Sequence, residues 1–331
     1  MTFGKILRRA PVCAAIAMGF ISLSAIAQTP GQWPDRAITW VVGYAPGGTT
    51  DVVARTVAMK VSEELGQSIV VQNRPGANSN IGAVAVKRAE PDGYSFYVGS
   101  GANAINRTLY SNAGYDIATD FSAVALFGTV TNMLVVNPEL PVNNVQEYIA
   151  YAKANPGKLT CASSGAGSSI HMSCEMFKIE TGTDIMHVPF SGSGPAMTAL
   201  LGGQVHSIFD NMPTVMPNVE AGKLRALGIT SPTRWPSAPQ VPTLSESGVP
   251  GFSVVTWFGL FAPAATDDAT VTRMNEAINR ALQDEATRKI LSQRGVQIPD
   301  APNLPNEFTV RVKDDIEKWA RVVRESGAKA E

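Results

Sequence analysis

The sequence contains few of the residues on which catalysis and metal binding most often depend. Its 331 residues include three cysteines and three histidines, and charged residues make up only 17%. None of His171, His187 and His206 has a partner at the His-Glu-x-x-His spacing, and no Cys-x-x-Cys pair occurs. We therefore expect neither a metal ion nor another cofactor.

An excess of charge of one sign is also missing. The chain has 27 basic and 28 acidic residues, a net charge of −1, so charge gives no reason to expect nucleic acid or an anionic membrane as the main partner. The Gly-x-Ser-x-Gly, Walker and Gly-x-Gly-x-x-Gly motifs are absent. We expect a protein that is not an enzyme. A secreted hydrolase with a triad assembled from distant residues is a remote alternative.

The N-terminal segment has the pattern of a signal peptide. Three basic residues in the first nine positions precede an apolar stretch that ends in Ala25-Ile26-Ala27. We expect residues 1–27 to be cleaved after Ala27, which leaves 24 basic and 28 acidic residues. The alternative is an uncleaved anchor, but the stretch is interrupted by serines and is short for a membrane span. No later run of 18 apolar residues occurs.

Two cysteines, Cys161 and Cys174, lie beyond this predicted leader. An oxidising compartment favours joining them, and a helix packed on its own preceding strand can bring such positions within disulfide reach. Two buried free thiols are an equal alternative at this point.

Hydrophobic periodicity predicts an α/β protein with mostly parallel sheets. Short β-rich runs alternate with helical stretches over residues 38–99 and again over 133–230. A loop rich in Pro, Ser and Gly covers 233–252, and one strand and three helices complete the chain. This order predicts two α/β lobes, with crossovers near 129–132 and 255–256.

Three turns rich in Gly, Ser and Asn follow predicted strands, at residues 43–51, 75–80 and 162–169. The backbone N–H groups at a helix N-terminus are unpaired and carry the positive end of the helix dipole, so the turns suit an anion such as a carboxylate. Ligands of open α/β sheets bind at the carboxyl ends of strands. The turns therefore predict a polar, uncharged cleft, and helix capping is a compatible alternative role.

Two further polar residues stand beside these predicted turns. His171 is the better ligand candidate among the histidines, because His187 alternates with apolar neighbours. Asp210 follows a predicted strand, and a role in a turn or cap is as well supported for it as ligand binding.

The order of short motifs along the mature chain resembles that of the extracytoplasmic solute receptors of tripartite tricarboxylate transporters, also called the Bordetella uptake gene (Bug) receptors. The motifs that carry the resemblance are Pro46–Asp51, Gln72–Ala77, Asn80–Gly82, Pro91–Tyr94, Ala162–Gly165, His187–Phe190, Leu201–Val205, Phe209–Asn211 and Trp257–Pro263.

The resemblance implies a type II periplasmic binding protein fold, in which two α/β lobes joined by two crossover segments close on a ligand cleft by a hinge motion. Lobe 1 would comprise residues 28–130 and the returning segment 256–331, and lobe 2 residues 131–255. The implied function is capture of a small organic carboxylate in the periplasm for membrane transporter subunits. A ligand-sensing partner of a membrane sensor kinase is the alternative, and we expect a monomer.

The resemblance also implies ligand-binding roles for residues on the matching motifs, namely Gly47, Gly48, Thr49, Asp51, Ser163, Ser164, Ser168 and Asp210. To these we add candidates of our own from the turns and their neighbours, which are Tyr44, Thr50, Asn78, Ser100, His171 and Phe190.

The ligand is expected to be a di- or tricarboxylate, an aromatic carboxylate or an amino acid. Tyr44 and Phe190 could stack on an aromatic ligand, although packing between the lobes is a slightly favoured alternative. Relatives commonly have an aromatic and a small residue where this chain has Cys161 and Cys174, a departure that favours a disulfide between them.

Overall fold

The computed structural model describes residues 1–2, 4, 33–300 and 303–330, without the side chains of residues 325 and 326. The predicted signal peptide, apart from three of its first four residues, and its cleavage site after Ala27 lie outside the described residues. Within the described part of the chain, no helix is both long enough and apolar enough to cross a membrane.

The described residues form nine strands and ten helices. The strands are β1 (Ile38–Val42), β2 (Ile69–Asn73), β3 (Ser95–Ser100), β4 (Phe121–Val136), β5 (Thr160–Ser163), β6 (Met186–Pro189), β7 (Ser207–Asn211), β8 (Arg225–Ile229) and β9 (Val255–Pro263). The helices are α1 (Thr49–Leu65), α2 (Asn80–Lys87), α3 (Gly101–Leu109), α4 (Val145–Ala154), α5 (Ser169–Thr181), α6 (Ser193–Leu201), α7 (Met212–Glu220), α8 (Asp268–Gln283), α9 (Glu285–Gln293) and α10 (Pro305–Ser326).

The strands hydrogen-bond in the order β2-β1-β3-β9-β4-β7-β5-β6, and β8 pairs with β4. The pairs of β1 with β2 and β3, and of β5 with β6 and β7, are parallel, whereas β9 runs antiparallel to β3 and β4. The predicted α/β class is therefore confirmed.

The long strand β4 joins two parts of this sheet. Its residues up to Thr131 pair with β9, and its residues from Asn132 onward pair with β7 and β8. We call β2, β1, β3, β9 and the beginning of β4 the first half-sheet, and the end of β4 with β7, β8, β5 and β6 the second half-sheet. The predicted lobe boundaries at residues 130 and 255 stay a prediction.

Helix α1 is held in place by an apolar face that packs on the first half-sheet. Val53, Val57 and Val61 recur every fourth residue, are fully buried, and belong to the same core as Trp40 of β1. Gly66 ends the helix in the left-handed conformation, with φ 66°. This packing sets the N-terminus of α1 just beyond the carboxyl end of β1, where the first predicted turn lies.

Candidate functional site

A small cavity of about 20 Å³ lies between loops of both half-sheets, and we call it the inner cavity. Ten of its thirteen lining residues carry a hydroxyl or amide group, and none of the described lining residues carries a charge. It is lined by Tyr44, Gly48, Thr49, Thr50, Ser100, Ala102, Ser164, Ser168, Ser169, Ser193, Asn211, Thr256 and Phe258.

Five helices present their N-termini to the inner cavity. The lining includes the N-cap residues of four of them, Gly48 of α1, Ser100 of α3, Ser168 of α5 and Asn211 of α7, and the first residue of α6, Ser193. Each N-terminus adds unpaired N–H groups and a partial positive charge of about half a unit. Convergence of this kind suits an anion without the help of a lysine or arginine.

The two half-sheets touch across the inner cavity. The hydroxyl oxygens of Thr49 on α1 and Thr214 on α7 lie 2.7 Å apart, and the backbone N–H of Ala45 donates to the Ser191 carbonyl over 3.2 Å. A Cβ atom on Gly48 would lie 3.5 Å from that of Ser193. The cavity left between them has room for about one water molecule.

A larger cavity of about 580 Å³, the outer cavity, shares Tyr44 and Ser164 with the inner one. The side chains that line the outer cavity include aromatic rings, two lysines and one acid. They are Tyr44, Asn78, Tyr110, Ser164, His171, Glu175, Lys178, His187, Phe190 and Lys329.

Glu175 is the charged centre of the outer cavity wall. Its carboxylate accepts hydrogen bonds of 2.9 Å from Lys178 and lies 3.5 Å from Nε2 of His171. Burial alone would raise the pKa of Glu175, but the contacts with His171 and Lys178 outweigh it and lower the pKa to about 2. Glu175 is therefore ionised at neutral pH.

The two histidines of this wall stack on each other. The rings of His171 and His187 have centroids 3.9 Å apart at an interplanar angle of 20°. Burial, followed by repulsion from His171, lowers the pKa of His187 to about 3, so its ring is neutral at pH 7. The Ser163 hydroxyl lies 2.6 Å from Nε2 of His187, and this contact fixes Ser163 at the end of β5.

The structure brings ten of the fourteen predicted ligand-binding residues to one or both cavities. Tyr44, Gly48, Thr49, Thr50, Ser100, Ser164 and Ser168 line the inner cavity, and Tyr44, Asn78, Ser164, His171 and Phe190 line the outer one. The four residues that line neither are Gly47, Asp51, Ser163 and Asp210.

Asp51 supports the first turn from behind. Its Oδ2 accepts the N–H of Gly47 at 3.0 Å, and its Oδ1 accepts from Arg55 and Asn73, each at 2.9 Å. Burial works against ionisation, but the hydrogen bonds from Arg55, Gly47 and Asn73 outweigh it and hold the pKa of Asp51 below its ordinary value. Gly47 has φ 84°, a conformation that glycine tolerates, so Asp51 stabilises a turn that presents Gly48 and Thr49 to the cavity.

Several lining residues were not predicted from the sequence. They are Ala102, Ser169, Ser193, Asn211, Thr256 and Phe258 in the inner cavity and Tyr110, Glu175, Lys178, His187 and Lys329 in the outer one. Ser193 and Asn211 directly precede or begin helices after strands, so the signal that found the first three turns was also present at these two positions.

The disulfide expected between Cys161 and Cys174 is not formed. Both are free and fully buried, and the Cys161 thiol lies 3.9 Å from the Ala162 carbonyl oxygen. Burial, followed by the contact with Cys161, raises the pKa of the Cys174 thiol well above its ordinary value. The favoured expectation was wrong because both side chains belong to an apolar core with Tyr148 and Phe177, where neutral thiols pack as small hydrophobic groups.

Comparison with known proteins gives consistent results. Residues 53–328 match the family model described as tripartite tricarboxylate transporter family receptor. Protein BugT of Bordetella pertussis is 38% identical over 314 residues, which cover 94% of this chain and 96% of BugT.

Two solved structures from Rhodopseudomonas palustris are similar over nearly their whole length. One, solved with adipate, has a TM-score of 0.87 and 38% identity, and the match covers 90% of this chain and 99% of that one. The other, MatC with bound malate, has a TM-score of 0.85 and 34% identity, with 88% and 100% covered.

Proposed function

The chain belongs to the receptor family of the tripartite tricarboxylate transporters, and we propose that it captures a small organic carboxylate in the periplasm as a monomer and delivers it to membrane transporter subunits. The function requires binding and release and no chemical change in the ligand.

One observation supports carboxylate binding above all others, the convergence of five helix N-termini on the inner cavity. A negative charge near one helix N-terminus is stabilised by about 0.3–1 kcal/mol when exposed and by up to about 2 kcal/mol when partly buried. The protein without its leader has more acids than bases, so its overall charge does not attract an anion. The attraction has to come from these local N–H groups and hydroxyls.

The related structures support the same ligand class. Adipate and malate, which accompany the two R. palustris proteins, are both aliphatic dicarboxylates. The inner cavity has room for only about one water molecule, so a dicarboxylate enters only after the contacts between Thr49 and Thr214 and between Ala45 and Ser191 separate. We therefore propose that the half-sheets open to admit the ligand, with β4 and β9 as the connecting strands.

The most enzyme-like contact in the described residues supports a role without catalysis. Ser163 and His187 are within hydrogen-bond distance, as a nucleophile and base would be, at 2.6 Å. However, the lowered pKa of His187, about 3, makes its ring a poor base at neutral pH, and Ser163 lines neither cavity.

Thermal unfolding of the chain without residues 1–27 tests the proposal. A ligand that binds only the folded state stabilises it by about 2.7 kcal/mol at a concentration one hundred times its dissociation constant. We expect a rise in Tm with at least one member of a panel of mono-, di- and tricarboxylates and amino acids, and recovery of that ligand unchanged by mass spectrometry. The absence of any shift would contradict carboxylate binding, and conversion of the ligand would contradict the non-catalytic role.

A further inference from the structure

Asp210, near the end of β7, is a fully buried acid that has no cation beside it in the described part of the chain. Its Oδ1 accepts a hydrogen bond of 2.8 Å from the Ser193 hydroxyl and one of 2.7 Å from the backbone N–H of Asn211. Its Oδ2 is also buried and has no hydrogen-bond partner among the described residues. A buried carboxyl oxygen is stable when it carries a proton or accepts a hydrogen bond. Without either, its burial raises the free energy of the folded state.

The described residues around Asp210 provide no compensating charge. The elements packed against β7 are β4, β5, α5, α6 and α7, and β4 and α6 carry no ionisable side chain. The ionisable residues on the other three are Cys161, His171, Cys174, Glu175, Lys178, Glu180 and Glu220. Among the described residues none of them exerts a charge effect on Asp210, and burial raises the pKa of Asp210 to about 7.

Asp210 lies one hydrogen bond behind the anion site. Its two partners, Ser193 and Asn211, both line the inner cavity, one as the first residue of α6 and the other as the N-cap of α7. A carboxylate ligand bound at these N-termini would place a second negative charge close to Asp210. Like charges at short distance disfavour ionisation, so ligand binding and ionisation of Asp210 oppose each other.

We propose, on the basis of the function proposed above, that Asp210 is a proton-binding residue of the site and that the receptor takes up its carboxylate ligand together with one proton. The proton comes from solvent and binds to Oδ2 of Asp210. The ligand stays ionised, and no bond in it forms or breaks. When the half-sheets open, the ligand leaves and Asp210 can release the proton.

The sign of the pH dependence follows from this coupling. Below about pH 7, Asp210 of the free receptor already holds the proton, and affinity is at its maximum. Above about pH 7 the proton has to be taken up on binding, so the dissociation constant rises with pH, by up to about tenfold per unit. The carboxyl groups of malate and adipate are already ionised over this range and contribute no slope of their own.

Isothermal titration calorimetry from pH 6 to pH 9, with malate and adipate as probes, tests the coupling. Each titration is carried out in two buffers of different ionisation enthalpy, so the dependence of the measured heat on the buffer gives the number of protons bound. We expect proton uptake that approaches one per ligand at pH 8. Asp210→Asn, which keeps the shape and provides the donor that protonation would add, is expected to show neither uptake nor a slope above pH 7.

Asp315→Asn is the matched control. Burial raises the pKa of Asp315 too, but its carboxylate accepts from Nε1 of Trp257 at 2.6 Å and lies outside both cavities. This variant should behave as the wild type. Tight binding without proton uptake in the wild type would overturn the coupling and leave the proposed function intact. Because this measurement uses the wild type alone, it tests the coupling even if a variant fails to fold. If no carboxylate binds at any pH, both proposals fail.

Discussion

Thr49 and Thr214 link the two half-sheets through hydroxyl oxygens 2.7 Å apart, next to the inner cavity. Thr214→Val keeps the side-chain shape and removes the link. A hydrogen bond of this kind contributes about 0.5–1.5 kcal/mol, and it has to break before a ligand enters, so its removal is expected to lower the dissociation constant for a carboxylate about two- to tenfold. Titration calorimetry measures the change.

Thr198→Val is the control for that variant. The Thr198 hydroxyl donates to the Gly194 carbonyl within its own helix on an exposed face, so its loss should leave affinity unchanged. An equal change in affinity in both variants would contradict a specific role for the contact between Thr49 and Thr214.

Substitution of Ser164 is expected to affect ligand binding alone, whereas substitution of Ser168 is expected to affect both ligand binding and the stability of the fold. Within the described residues the Ser164 hydroxyl makes no hydrogen bond, although it lines both cavities, whereas the Ser168 hydroxyl caps α5 by accepting from the N–H of His171 at 3.1 Å. Ser164→Ala should weaken ligand binding with little change in Tm. Ser168→Ala should lower the free energy of unfolding by about 1 kcal/mol as well. Thermal unfolding with and without ligand measures both effects for each variant. A large loss of Tm in Ser164→Ala without ligand would contradict the assignment of Ser164 as a ligand-binding residue with no structural role.

Glu175 should stabilise the fold in a pH-dependent way. Its pKa falls from 4.5 to about 2 on folding, because the contacts with His171 and Lys178 outweigh burial. The stabilisation is therefore complete above about pH 4.5 and disappears as the pH falls towards 2. Glu175→Gln should lower Tm at pH 7, and its difference from the wild type should shrink over that acid range. The exposed Glu180→Gln on the same helix should match the wild type throughout, and a Tm difference for Glu175→Gln that did not depend on pH would contradict the account.

Cys161 and Cys174 should behave as buried thiols. In the chain without residues 1–27, we expect a thiol reagent to modify neither in the folded state and both after unfolding, since both side chains are fully buried. Mass spectrometry of the non-reduced chain distinguishes the alternatives, because a disulfide would lower the mass by two hydrogens.

Most of the fold follows from sequence periodicity, and its two omissions have physical causes. Helix α3 begins at Gly101 directly after β3 ends at Ser100, without an intervening turn, and its buried residues include the polar Asn103 and Asn106. The first part of β4 is buried on both faces, so it shows no alternation, and Gly128, Thr129 and Thr131 interrupt the strand after the short apolar run Ala123–Phe127. The middle strands and helices, from β5 to β8, were predicted within a few residues.

The site could be predicted as far as its turns, but not its side-chain directions. Glycine and serine after a strand indicate a helix N-terminus near a ligand, whichever way the neighbouring side chains point. Asp51 turns towards Asn73 on β2 as well as towards Arg55 on its own helix, and Asp210 turns into the core towards Ser193 on α6. The wall formed by Glu175, Lys178 and the stacked histidines depends on how α5 lies against β6, which periodicity does not specify.

The central claim is that a carboxylate binds at the converging helix N-termini of the inner cavity. A crystal structure of the chain without residues 1–27, grown with the acid that gives the largest Tm shift, tests it most directly. The account predicts carboxylate oxygens within hydrogen-bond distance of N–H or hydroxyl groups from Thr49 or Thr50 on one side and Ser168 or Ser169 on the other. A ligand bound wholly in the outer cavity, against Lys178 and Lys329, would contradict it.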